Sequence, residues 1–158
     1  MDKIGNLFCF MESCRSGNEL KVHTLIAENN YLVNEQDSSG YTGLMHAMFK
    51  NHDNIVKLIL EVPCCDIRVA NAQGLTALHF GIFNPSGLRL ILCHPMCNKD
   101  LVLKKDNYGL SILDYTMSCG KGNNVEMLFE YLTENRGTDA ICEQEMIEKL
   151  ADMKFSDK

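Results

Sequence analysis

The chain has 158 residues, 46% of them hydrophobic and 23% charged, the make-up of one globular domain and not of a disordered or fibrous chain. Its net charge of −6 and pI near 5.3 oppose a phosphate backbone or an anionic membrane at long range, so neither nucleic acid nor membrane is expected as the main partner. No apolar run reaches the roughly 18 residues of a membrane span, and Glu12 and Arg15 interrupt the one stretch that could pass for a leader. The expected setting is therefore the cytoplasm or nucleus, with the eight cysteines as reduced thiols.

Along the chain, residues 7–36 (LFCFMESCRSGNELKVHTLIAENNYLVNEQ) open directly on Leu7, Phe8, Phe10 and Met11, with no turn in front of them. Three segments then align with one another: DSSGYTGLMHAMFKNHDNIVKLIL from Asp37, NAQGLTALHFGIFNPSGLRLIL from Asn71 and DNYGLSILDYTMSCGKGNNVEMLFEYL from Asp106. Their glycines, Gly40, Gly74 and Gly109, fall 34 and 35 residues apart, and Val22 precedes Val56 by 34, so the first segment is a copy without its turn.

Each copy reads as a turn followed by two short helices. The glycine accepts positive φ, the Asp or Asn three residues earlier bonds the backbone after it, and Thr42, Thr76 or Ser111 stands where a first helix begins. Pairs three apart (Leu44 and Ala47, Leu78 and Gly81, Leu113 and Thr116) share one face of that helix. A polar break follows, and the second helix carries a buried stripe: Val56, Ile59 and Leu60; Leu88, Ile91 and Leu92; Val125, Leu128 and Phe129. Neither helix is long enough to stand alone, so the copies must stack.

The third copy is irregular. Ala47 to Val56 is nine positions but Gly81 to Leu88 is seven, Pro85 is placed to open a helix, and a long connection runs from Cys93 to Gly109. Such an irregularity is either drift or a specific loop. In the tail, Thr138 or Asp139 can cap a closing helix over 138–152 bearing Ile141, Met146, Ile147 and Leu150, with 154–158 frayed. That helix either closes the stack or binds a partner.

These units resemble ankyrin repeats, whose pattern runs D-x-x-G-x-T-P-L-H-x-A. Asn71 to Gly81 follows it best, with TALH for TPLH, whereas Asp37 to Ala47 has TGLMHA and Asp106 to Thr116 has SILDYT. The resemblance implies an all-α helix-turn-helix solenoid of about four repeats with short turn tips and a C-terminal closing helix. It would form one domain over 1–153, with units at about 7–36, 37–70, 71–105 and 106–136. It also implies that Thr76 and His79 tie a turn to its helix; His79 aligns with Met45 and Asp114, which speaks against a catalytic histidine.

No nucleophile elbow, phosphate loop or helical metalloprotease motif is present; GKGNN at 120–124 has the wrong spacing for a phosphate loop and reads as a turn. No enzyme activity and no cofactor are expected. Binding of a protein partner by a chain monomeric on its own is the function implied, as adaptor or masking inhibitor, across a concave surface of tips and first helices. By place in the unit its residues are Tyr41, Phe49, Lys50, Gln73, Leu75, Phe83, Tyr108 and Leu110, unless Phe49 and Phe83 tuck into the neighbouring unit. The alternative is a metal-responsive protein in which Cys64, Cys65, Cys93 and Cys97, in equivalent connections, hold zinc.

Overall fold

Five helices begin on a side chain that accepts a backbone N–H three residues on. Asn18 takes Lys21 N–H at 3.0 Å, Thr42 takes Met45 at 3.3 Å, Asn84 takes Gly87 at 2.7 Å, Asn98 takes Leu101 at 2.9 Å and Ser111 takes Asp114 at 3.4 Å. The computed structural model describes residues 3–120 and 122–134, and helices dominate them. They are α1 (Lys3–Ser16), α2 (Glu19–Glu28), α3 (Gly43–Lys50), α4 (Asp53–Leu60), α5 (Pro85–Leu92), α6 (Lys99–Val102), α7 (Ile112–Ser118) and α8 (Gly122–Glu134), with 3-10 turns at Asn30–Asn34 and Ala77–Ile82. No strand forms among the described residues; Ala70 and Thr76 make a single antiparallel bridge.

The helices pair as the repeat requires: α1 with α2, α3 with α4, the 3-10 helix 77–82 with α5, and α7 with α8. First helices stack on first helices and second on second, with α3 between α1 and the 3-10 helix, and α5 between α4 and α8. One continuous core results. Phe10, Val22, Leu25, Met48, Val56, Ile59, Leu78, Leu88, Ile91, Ile112 and Leu128 are all buried in it, and each large side chain so buried contributes about 1.5–3 kcal/mol.

Between neighbouring pairs the chain is tied by bonds from side chain to backbone about one repeat length apart. Asn34 donates to Cys64 O at 2.6 Å and accepts from Asp66 N at 2.7 Å, Gln36 donates to Ala70 O, Asn107 donates to Ala72 O, and Asn124 donates to Gly81 O at 3.1 Å. Carbonyls of the connections, and the buried Gly81 O, thereby find partners.

The third pair differs from the expected two short α-helices. Its first helix is 3-10, with His79 N–H to Thr76 O, Phe83 N–H to Phe80 O and Asn84 N–H to Gly81 O closing three-residue turns. Rise explains the change. An eight-residue α-helix climbs about 12 Å at ~1.5 Å per residue, and six residues of 3-10 helix climb the same about 12 Å at ~2.0 Å. The copy with two residues fewer thus keeps the height of its neighbours. Pro85 does open α5, behind Asn84, and the long connection that follows folds its own short helix, α6. The expected closing helix at 138–152 and the tail 154–158 lie outside the described residues.

Candidate functional site

Each tip is built on one acid or amide. Asp37 Oδ1 accepts Ser39 and Tyr41 N–H, Asn71 Oδ1 accepts Gln73 and Leu75, and Asp106 Oδ1 accepts Tyr108 and Leu110, all at 2.8–3.0 Å. Gly40, Gly74 and Gly109 complete the turns at φ +82°, +80° and +78°, where a side chain is strained. The second carboxylate oxygen reaches the first helix: Asp37 Oδ2 meets His46 Nε2 at 2.8 Å, and Tyr115 Oη donates to Asp106 Oδ2. Burial pushes both carboxyls up, but these partners and the backbone N–H groups outweigh it and hold both below the usual carboxylate range. The same bond, with Asp106 as acceptor, pushes the Tyr115 phenol up to about 12.

His79 is buried. Its Nδ1 lies 3.1 Å from both Thr76 N and Thr76 Oγ1, closing a capping box with the Thr76 hydroxyl. Burial lowers its pKa, which keeps the ring neutral as an acceptor. It is a structural tie, as expected from its alignment with Met45 and Asp114.

From this frame a set of rings projects on the side of the tips and first helices. Tyr41 stacks on His46 at 5.4 Å and meets Phe80 at 5.7 Å. Phe49 stands edge-on to Phe80 at 6.3 Å and to Phe83 at 5.2 Å. The 3-10 helix makes that double contact possible, because its side chains three apart eclipse one another and set Phe80 and Phe83 in one column facing Phe49. Phe49 and Phe83 remain 45% and 48% exposed, so each both packs on the neighbouring unit and offers half its ring to solvent. Lys50 Nζ lies 5.2 Å from the Phe49 ring centre, a cation over a π face.

The other expected residues are placed differently. Leu75 is half-buried against the core, Leu110 is 39% exposed, and the Gln73 side chain is exposed while its carbonyl accepts Asn107 N–H. Tyr108 is 75% exposed at its tip and makes no ring contact with the cluster. His46, Phe80 and Tyr115 escaped the sequence reading. All three stand nine residues after the tip acid or amide, and each is a ring; that recurrence was the signal available.

The four cysteines do not converge. Cys65 turns inward, where burial pushes its thiol up to about 12; Cys64 is exposed and points at Asn30 O; and Cys97 is half-buried beside Tyr131. Among the described residues no three His, Cys, Asp or Glu side chains are placed to hold a metal ion, and no helix is long and apolar enough to cross a membrane.

Comparison with known proteins agrees with this geometry. A family model described as ankyrin repeats, in three copies, matches residues 10–105. The Notch-regulated ankyrin repeat-containing protein A of Danio rerio is 31% identical over 77 residues, 47% of this chain and 68% of that protein; its Xenopus laevis counterpart is 31% identical over 77 residues, 67% of its length. The NAD-capped RNA hydrolase NUDT12 of Homo sapiens is 32% identical over 71 residues, 45% of this chain, yet the match spans only 15% of that protein.

Proposed function

The chain belongs to the ankyrin-repeat family, and on that premise we propose that it binds a segment of a partner protein along the concave side of its stack, without catalysing a reaction. Proteins of this family are generally non-catalytic binding modules, and the residues that look chemical here, Thr76, His79, Asp37 and Asp106, serve the turns. The observation that carries the reading is the half-exposed pair Phe49 and Phe83, edge-on to one another, with Phe49 also edge-on to Phe80, which in turn packs on Tyr41. Rings fixed by their neighbours lose little freedom on binding and make strong anchors. The chain acts alone, as a monomer, in the cytoplasm or nucleus, either recruiting its partner or covering a segment that another protein needs.

Capture from lysate by the intact chain and by the Phe49→Ala/Phe83→Ala double variant, with Lys57→Ala on α4 as a control, tests this. A specific protein retained by the intact chain and the control but lost by a double variant with unchanged circular dichroism is the expected result. Equal retention by all three would place the binding site elsewhere.

A further inference from the structure

The ring cluster carries charge of one sign in a chain of the other. The net charge is −6, yet the tips from Ser38 to Leu110 present Ser38, Ser39, Ala72, Gln73, Asn107 and Tyr108, all uncharged. The two tip acids, Asp37 and Asp106, are engaged by their turns and by His46 and Tyr115. Lys50 is exposed at the edge of the rings, and no carboxylate among the described residues pairs with it. Thirty-four residues before Phe49 stands Arg15, at the end of α1, which packs on α3. Glu12 meets Arg15 at 3.5 Å, but both are about half exposed, so the pair is weakly held.

Resting on the binding reading above, we propose that the occupant of this face is a peptide segment of a partner protein that sets a bulky apolar side chain against Phe49 and Phe83 and an adjoining Asp or Glu beside Lys50. The overall negative charge does not prevent this. At physiological salt the field of distant carboxylates decays within about 8 Å, whereas a carboxylate over the Phe49 edge meets the Lys50 ammonium directly, on an apolar surface that excludes water. A segment with Lys or Arg at that place would meet like charge, and a neutral one would leave Lys50 unpaired.

The test is to pan random twelve-residue phage-displayed peptides against the full chain and to measure the enriched sequences by fluorescence anisotropy. The proteins measured are the intact chain, Lys50→Glu, Glu12→Gln and Phe49→Ala/Phe83→Ala, each checked for folding. The expected peptides pair an apolar anchor with Asp or Glu, lose binding to the double variant, weaken about five- to tenfold on Lys50→Glu, and tighten slightly on Glu12→Gln. Exchanging their acid for Lys should restore binding to Lys50→Glu. Peptides that need the phenylalanines but show no preference for acid, or are indifferent to Lys50→Glu, would overturn this inference and leave the binding face standing. Peptides indifferent to the double variant, or no enrichment at all, would overturn both.

Discussion

Asn71 Nδ2 is buried with no hydrogen-bond partner among the described residues, while the atoms in the same place in the flanking tips, Asp37 Oδ2 and Asp106 Oδ2, are held by His46 and Tyr115. The difference lies nine residues on, where the middle unit has Phe80. Phe80→Tyr would put a hydroxyl where Tyr115 has its own. It should stabilise the fold by about 1 kcal/mol, read as a higher urea midpoint; no change would mean that the hydroxyl does not reach the amide. His79 supports a second prediction. Burial lowers its folded pKa below the unfolded value near 6.5, so its contribution is complete above that pH and is lost as pH falls, because the unfolded chain then binds the extra proton. Between about pH 7.5 and about pH 5.5 the intact chain should lose more thermal stability than His79→Met, which borrows the residue at position 45. Equal losses would place the titrating group elsewhere. The Thr76 and His79 pair was legible because TALH is nearly the family motif. The tie from tip acid to ring was not, since His, Phe and Tyr share a shape and not a chemistry, and only the folded turn brings position nine back to the acid.

Element by element, the alternation of turn, short helix and second helix was readable from the spacing of Gly40, Gly74 and Gly109 and from the apolar stripes of α4, α5 and α8. Helix type was not. The shortfall of two residues before Leu88 is visible in the sequence, but whether it shortens a loop or tightens a helix depends on how high the neighbouring pairs stand, which is a property of the stack. Tightening also draws α5 in: a Cβ on Gly81 would lie 2.8 Å from Leu88 Cδ1 and 3.0 Å from its Cβ. Gly81→Ala should therefore cost about 1–3 kcal/mol through overpacking, although Ala47 and Thr116 occupy the matching position in the units on either side. Urea unfolding checks this, and a neutral outcome would mean that the 3-10 helix can move away from α5.

At the scale of the whole molecule each pair of described helices packs mainly on the next, and cohesion comes from a core running through all four and from the amide bonds between successive connections. This architecture was legible because repetition multiplies a weak signal. The set of rings was legible only in part. Tyr41, Phe49, Lys50 and Phe83 come together, whereas Tyr108 stands alone and Phe80, counted among core residues, joins the rings at 7% exposure. The column of Phe80 and Phe83 has a further meaning for how such a chain diversifies. Arrays that grow by duplication start with identical faces, and the usual route to difference is one exchanged side chain at a time. Here a segment two residues shorter between Gly81 and Leu88 goes with a tightened helix that sets Phe80 and Phe83 against Phe49, so spacing, as well as side-chain identity, is something on which selection for a partner can act.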